Sequence, residues 1–280
     1  MCEHEIINGV RYAYRWLRKV DLEFPTVICL HGFTGTSKTF TFTGHDLNYL
    51  AIDLIGHGDS SIYVHPYRYQ MSALVRDLAQ LVSELDISSF YLLGYSMGGR
   101  VALSWMLEYP RGIKGVIIES GTAGISDTKQ RHQRQKADDK LAKRLLTKPF
   151  TEFIDYWEDL PLFHSQKKLS LQKKEAIRME RLSQHPFGLA MSLMYMGTGA
   201  QKNYWPLLSE CAIPLLYIAG EWDRKFNVIG LDLVKQNPEF SFQLIRNCGH
   251  CCHIEQPRGF EKLVTNWIKE KESEPPYENC

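Results

Sequence analysis

The chain has 280 residues, 44% hydrophobic and 23% charged, which is the balance of a soluble globular protein and excludes a disordered or fibrous chain. Lys and Arg number 33 against 32 Asp and Glu, so no global charge points to nucleic acid or to an anionic membrane surface. The apolar runs fall far short of the ~18 residues of a membrane span, Met1-Cys2-Glu3-His4-Glu5 lacks a signal-peptide core, and seven irregularly spaced cysteines suggest no disulfide framework, which together point to a reduced, cytoplasmic setting.

Ile6-Ile7-Asn8-Gly9-Val10-Arg11-Tyr12 places Asn-Gly between β-formers, the mark of a two-residue hairpin. Four short runs follow that are apolar on both faces and read as buried parallel strands: Thr26–Leu30, Tyr49–Asp53, Phe90–Gly94 and Gly115–Glu119. Helical spacing over Met71–Leu85 and Met97–Tyr109, the latter stopped by Pro110, separates them. From Thr122 to Ile213 there is no strand pattern; the stretch is helical, basic at its start and rich in aromatics. Alternation resumes with Pro214–Gly220 and Phe240–Asn247, a helix is expected around Phe260–Ile268, and Lys269–Cys280 reads as a frayed end. The expectation is an α/β fold: a mainly parallel sheet flanked by helices, with core segments 1–121 and 214–280 interrupted by a helical cap, 122–213. No feature of the sequence specifies an oligomeric state.

Gly94-Tyr95-Ser96-Met97-Gly98 is a G-x-S-x-G pentapeptide at a strand-to-helix turn. There the chain turns too tightly for side chains on either side of the serine, and the helix N-terminus offers amide hydrogens to developing negative charge. An acid and then a histidine are expected after later strands. Asp223 follows one in Gly220-Glu221-Trp222-Asp223, and His250 another in Asn247-Cys248-Gly249-His250; Glu221 and His253 are the competing candidates. The amides of Phe33, after the first long strand, and of Met97 would form a two-donor oxyanion hole, with His31 a structural hydrogen-bonding residue. Asp53-Leu54-Ile55-Gly56-His57-Gly58-Asp59-Ser60 lacks the spacing of a phosphate-binding loop and reads as a turn. Cys248, Cys251, Cys252, His250 and His253 crowd together, but no second Cys/His pair closes a tetrahedron; buried thiols, and no metal, are expected.

These motifs resemble the α/β-hydrolase superfamily over nearly the whole chain. Within it, Gly94-Tyr95-Ser96-Met97-Gly98-Gly99-Arg100-Val101-Ala102 is similar to the elbow of the 2-succinyl-6-hydroxy-2,4-cyclohexadiene-1-carboxylate synthases of the menaquinone pathway. So are Glu119–Ile125 followed by Arg134, Trp157 with Phe163, Arg178, and Met196-Gly197-Thr198-Gly199-Ala200-Gln201, the last in its Gram-positive form. Thr122-Ala123 departs from the more usual small-residue–proline pair. The resemblance implies pyruvate elimination from a tricarboxylate, with Arg100, Arg134 and Arg178 as three guanidinium partners and Tyr95, Trp157 and Phe163 as pocket wall. Each guanidinium can form a bidentate carboxylate pair. Arg100 also opposes the dipole of its own helix, so it calls for an anionic partner, structural or ligand. No cofactor motif is found, in keeping with such an elimination. The rivals are a carboxylester, thioester or C–C bond hydrolase using Ser96 as nucleophile, and a non-catalytic small-molecule receptor.

Overall fold

The computed structural model describes residues 2–274. Its first elements are the expected hairpin: β1 (Glu3–Ile7) and β2 (Val10–Trp16) pair antiparallel around Asn8 and Gly9, whose φ values of 50° and 80° suit a type I′ turn. Then come β3 (Thr26–Leu30), β4 (Asn48–Ile52), helix α1 (Met71–Glu84), β5 (Phe90–Tyr95), α2 (Met97–Glu108) and β6 (Ile113–Glu119). Four helices intervene: α3 (Thr128–Thr147), α4 (Phe150–Glu158), α5 (Leu171–Leu182) and α6 (Pro186–Met196), with a 3-10 stretch at Pro161–Lys168. The chain closes with β7 (Leu215–Gly220), α7 (Arg224–Gln236), β8 (Phe240–Ile245), the short α8 (Cys252–Glu255) and α9 (Pro257–Ser273).

The strands form one sheet in the order β1-β2-β4-β3-β5-β6-β7-β8, parallel from β4 onward. Alternation within the central strands feeds two cores. Ile28, Leu92, Val116 and Leu215 pack with Leu74, Val101 and Leu233 on one face. Val27, Tyr91, Ile117 and Leu216 pack with Phe260, Val264 and Trp267 on the other. A third cluster belongs to the inserted helices and gathers Leu145, Phe153, Ile154, Leu189 and Leu193, with Phe33 and Trp157 against it.

Two expectations differ at their ends. The last strand stops at Ile245 rather than Asn247, because Asn247 turns into the left-handed region at φ 58°. The final helix runs on to Ser273: Lys269 pairs with Asp46 at 2.8 Å, and Glu272 accepts from Tyr91 and Lys114, each at 2.6 Å. Of the expected frayed end, residues 275–280 lie outside the described residues. Parallel register (Leu30 beside Gly94, Tyr95 beside Glu119, Gly220 beside Ile245) brings the carboxyl ends of the central strands to one edge, where the site assembles.

Candidate active site

Ser96 sits between β5 and α2 at φ 50°, ψ −101°, a conformation rarely adopted by a residue with a side chain. Its amide donates to Glu119 O at 2.7 Å, which ties the turn to the end of β6. The flanking glycines are required by close approach. A Cβ on Gly94 would meet Gly98 O at 2.3 Å, and one on Gly98 would meet Leu30 O at 1.9 Å. The sharp turn thus passes directly against the neighbouring strand end.

Ser96 Oγ lies 3.0 Å from His250 Nε2, and His250 Nδ1 lies 2.7 Å from Asp223 Oδ2. A carboxylate only accepts, so Nδ1 carries the imidazole proton and Nε2 is left to accept from the serine hydroxyl. Asp223 and His250 are buried, and the Phe226 ring packs 4.7 Å from the imidazole. Ser120 Oγ donates to Asp223 Oδ2 at 2.8 Å. This arrangement can move a proton away from Ser96 while Asp223 holds the resulting imidazolium.

The competing residues have other engagements. Glu221 Oε2 accepts from the Asn247 amide at 3.0 Å. His253 is bonded through Nδ1 to Glu119 at 2.6 Å and packs between aromatic rings. His31 accepts the Leu54 amide on Nε2 at 3.0 Å and meets Gly32 O through Nδ1 at 2.8 Å, so it braces the loop that carries Phe33. Asp53 takes the amides of Ser37 and Asp59 at 2.6 and 2.9 Å, which holds the expected turn. Cys248 and Cys252 place their sulfurs 3.3 Å apart, and burial raises the thiols of Cys251 and Cys29. Among the described residues no group of three His, Cys, Asp or Glu could hold a metal ion.

A cavity of about 160 Å³ opens above Ser96. Phe33 and Met97 line it; Met97 is the first residue of α2, so its amide has no acceptor within the helix. Tyr95, Trp157 and Phe163 form part of the wall, with Phe33 and Trp157 edge to face at 5.0 Å. Arg100 and Arg134 also line the cavity. Arg100 is buried, donates Nη1 to Met196 O at 2.7 Å, and is pushed down to about 10 by burial and by the Arg134 charge. Arg134 Nε holds buried Asp138 at 2.8 Å, whose other oxygen accepts from the Gly199 amide at 3.2 Å.

Arg178 is a correction to the sequence reading. It does not line this cavity. Its guanidinium pairs with Asp155 and Glu158, each at 2.6 Å, and these bonds raise its pKa. It faces a separate outer cleft of about 430 Å³ between α4 and α5. Phe163 lines both spaces and stands between them, with Arg181 over its ring at 4.9 Å. Sequence reasoning also passed over Ser120 and Lys225, which line the Ser96 cavity. The available signals were Ser120-Gly121 at a strand end, and a lysine two residues after the acid.

No helix among the described residues is long and apolar enough to cross a membrane. A family model described as the alpha/beta hydrolase fold matches residues 25–257. The chain is 38% identical to a Bacillus subtilis (strain 168) protein that carries a provisional 2-succinyl-6-hydroxy-2,4-cyclohexadiene-1-carboxylate synthase designation, over 94% of this chain and 96% of that one. It is 31% identical to a Salmonella agona (strain SL483) synthase of the same name, over 84% and 90%. The structure of MenH from S. aureus superposes with a TM-score of 0.87 at 33% identity, covering 93% of this chain and 99% of that one. An esterase from Thermogutta terrifontis superposes at 0.81 with 21% identity, over 98% and 100%, which speaks for the fold alone. With sheet order, elbow and near full-length identity in agreement, the chain belongs to the alpha/beta hydrolase fold family and, within it, to the 2-succinyl-6-hydroxy-2,4-cyclohexadiene-1-carboxylate synthases.

Proposed function

We propose that this chain eliminates pyruvate from 2-succinyl-5-enolpyruvyl-6-hydroxy-3-cyclohexene-1-carboxylate, giving 2-succinyl-6-hydroxy-2,4-cyclohexadiene-1-carboxylate in menaquinone biosynthesis. One observation carries the reading: a serine–histidine–aspartate hydrogen-bond chain opens into a cavity bordered by the guanidinium groups of Arg100 and Arg134. A plain esterase pocket has no need of such a border, whereas a tricarboxylate does. The helical insertion, 122–213, acts as the cap that supplies Arg134, Trp157 and Phe163.

In the reaction His250 takes the hydroxyl proton of Ser96, and Asp223 stabilises the imidazolium. Ser96 Oγ then removes the ring proton. The electron pair left beside the succinyl carbonyl forms the 2,3 ring double bond, the existing 3,4 double bond shifts to 4,5, and the carbon–oxygen bond to the enolpyruvyl group breaks. The His250 imidazolium returns its proton to the departing enolate, which leaves as pyruvate, and no water is consumed. The Phe33 and Met97 amides stabilise charge on the oxygen conjugated to the carbanion. Ser96 is a base here and no acyl-enzyme forms. Arg100 and Arg134 bind carboxylates, and Tyr95, Trp157 and Phe163 shape the wall.

A coupled assay tests this. The enolpyruvyl substrate is generated in situ, and pyruvate release and the absorbance of the conjugated diene are followed with wild type and Ser96→Ala. Release above the uncatalysed rate that is lost in S96A is the expected result. No acceleration by wild type overturns the substrate assignment. A stoichiometric adduct on Ser96, seen by mass spectrometry of the quenched reaction, overturns its role as base.

A further inference from the structure

We propose that Lys225 contacts the substrate and binds one of its carboxylates, completing with Arg100 and Arg134 a three-cation border to the Ser96 cavity. This rests on the tricarboxylate reading above, and it names a partner that the position of Arg178 leaves vacant.

Lys225 is the second residue of α7, and Asp223 is the residue that caps that helix. Its backbone is therefore tied to the acid of the relay. The next residue, Phe226, packs on His250. From this position Lys225 lines the same cavity as Arg100, Arg134 and Ser96, while its side chain stays accessible to an incoming ligand. No Asp or Glu lines that cavity among the described residues.

Other lysines of the chain have acidic partners: Lys167 pairs with Asp159, Lys235 with Asp232 and Lys269 with Asp46, at 2.8 to 3.0 Å. Lys225 has no carboxylate oxygen within 4.0 Å among the described residues, and its ammonium stands 5.3 Å from the Phe226 ring centroid. A cation in the first turn of a helix opposes the macrodipole, where an acidic side chain would be favoured. Partial burial and the charge of Arg134 lower its pKa, outweighing the opposite pull of the Asp223 carboxylate. Burial, the helix dipole and the Arg134 charge thus disfavour the ammonium in the empty site, and the negative charge of an arriving carboxylate offsets them.

The charge balance agrees. Asp138 is shared between Arg134 and the electrostatic surroundings of Arg100, so it compensates one of the cavity's fixed charges. Arg178 is engaged by two carboxylates outside the cavity. Of the side chains lining the cavity, Lys225 is the further cation available to the third carboxylate of the substrate.

The test is steady-state pyruvate release by wild type, Lys225→Met, Lys225→Gln and Lys225→Arg, with thermal midpoints recorded beside it. Met and Gln are expected to raise KM about tenfold or more while kcat changes by less than about threefold, and Arg is expected to recover most of the loss. Retained melting midpoints would assign that loss to binding. A KM within about twofold of wild type in both K225M and K225Q overturns the proposal. So does a fall in kcat alone, or a loss that Arg does not rescue, since either would make Lys225 a support for Asp223. Failure of the reaction assignment is visible separately, as absence of catalysed release by wild type.

Discussion

Ser120 Oγ donates to Asp223 Oδ2 at 2.8 Å, the same oxygen that accepts from His250 Nδ1. Ser120 leaves β6 at φ 51°, and its amide is bonded to Ile218 O on β7. This one carboxylate oxygen thus takes two donors, and Ser120 helps to hold the acid in position for the imidazole. Ser120→Ala removes one charge-assisted bond, worth about 1.5–3 kcal/mol. We expect kcat/KM to fall about tenfold or more with KM little changed, because orientation of the base is lost rather than substrate contact. Pre-steady-state and steady-state pyruvate release would check it.

Arg134→Ala removes a guanidinium from the cavity and the partner of buried Asp138. Losing a charge-assisted carboxylate pair should cost about 1.5–3 kcal/mol in transition-state binding. Asp138 keeps the Gly199 amide, so the fold survives with a lowered melting midpoint. Kinetics equal to wild type would return Arg134 to a structural role.

Gly98→Ala places a methyl group 1.9 Å from Leu30 O and 2.7 Å from His31 O, both backbone atoms. Neither can yield without moving β3 or α2. Overpacking of this kind costs about 1–3 kcal/mol or more, and here it also displaces Ser96. The expected outcome is a lower denaturant midpoint together with loss of turnover.

His31 and His57 give acid stability a defined direction. Burial pushes His31 down from 6.5 to about 4, and burial with the neighbouring His31 pushes His57 to about 3. The unfolded chain takes up these protons from pH 6.5 downward and the folded chain does not. Their contribution is therefore fully present above pH 6.5 and is lost as pH falls toward 4. Denaturant midpoints measured across that window should fall in wild type and fall less steeply in His57→Gln.

The strands, the elbow and the order of the relay were legible because each depends on local chemistry. Alternating burial marks Thr26–Leu30, Asn-Gly marks the hairpin, and the glycines at 94 and 98 mark a turn against a strand end. His250 could be preferred to His253 because it follows a strand and a glycine directly. Cap geometry was less legible. Whether Arg178 faces the cavity depends on Asp155 and Glu158, some twenty positions earlier on another helix, and no spacing rule encodes that pairing. Lys225 was missed for a related reason. An isolated lysine at a helix start has no pattern of its own, and its meaning comes from the guanidinium of Arg134, ninety residues away in the chain.

The hydrogen bond between Ser120 and Asp223 also closes the base of the inserted segment. The cap leaves the core just after one of these residues and returns, by way of β7, just before the other. Asp223 is thereby held from the ends of two adjacent sheet strands, by residues that flank the departing and returning chain rather than lie within it. Such a clasp separates the two tasks of the site: the strand ends hold the acid, while the inserted helices supply the Phe163 ring that packs on His250 and the Arg134 that borders the cavity.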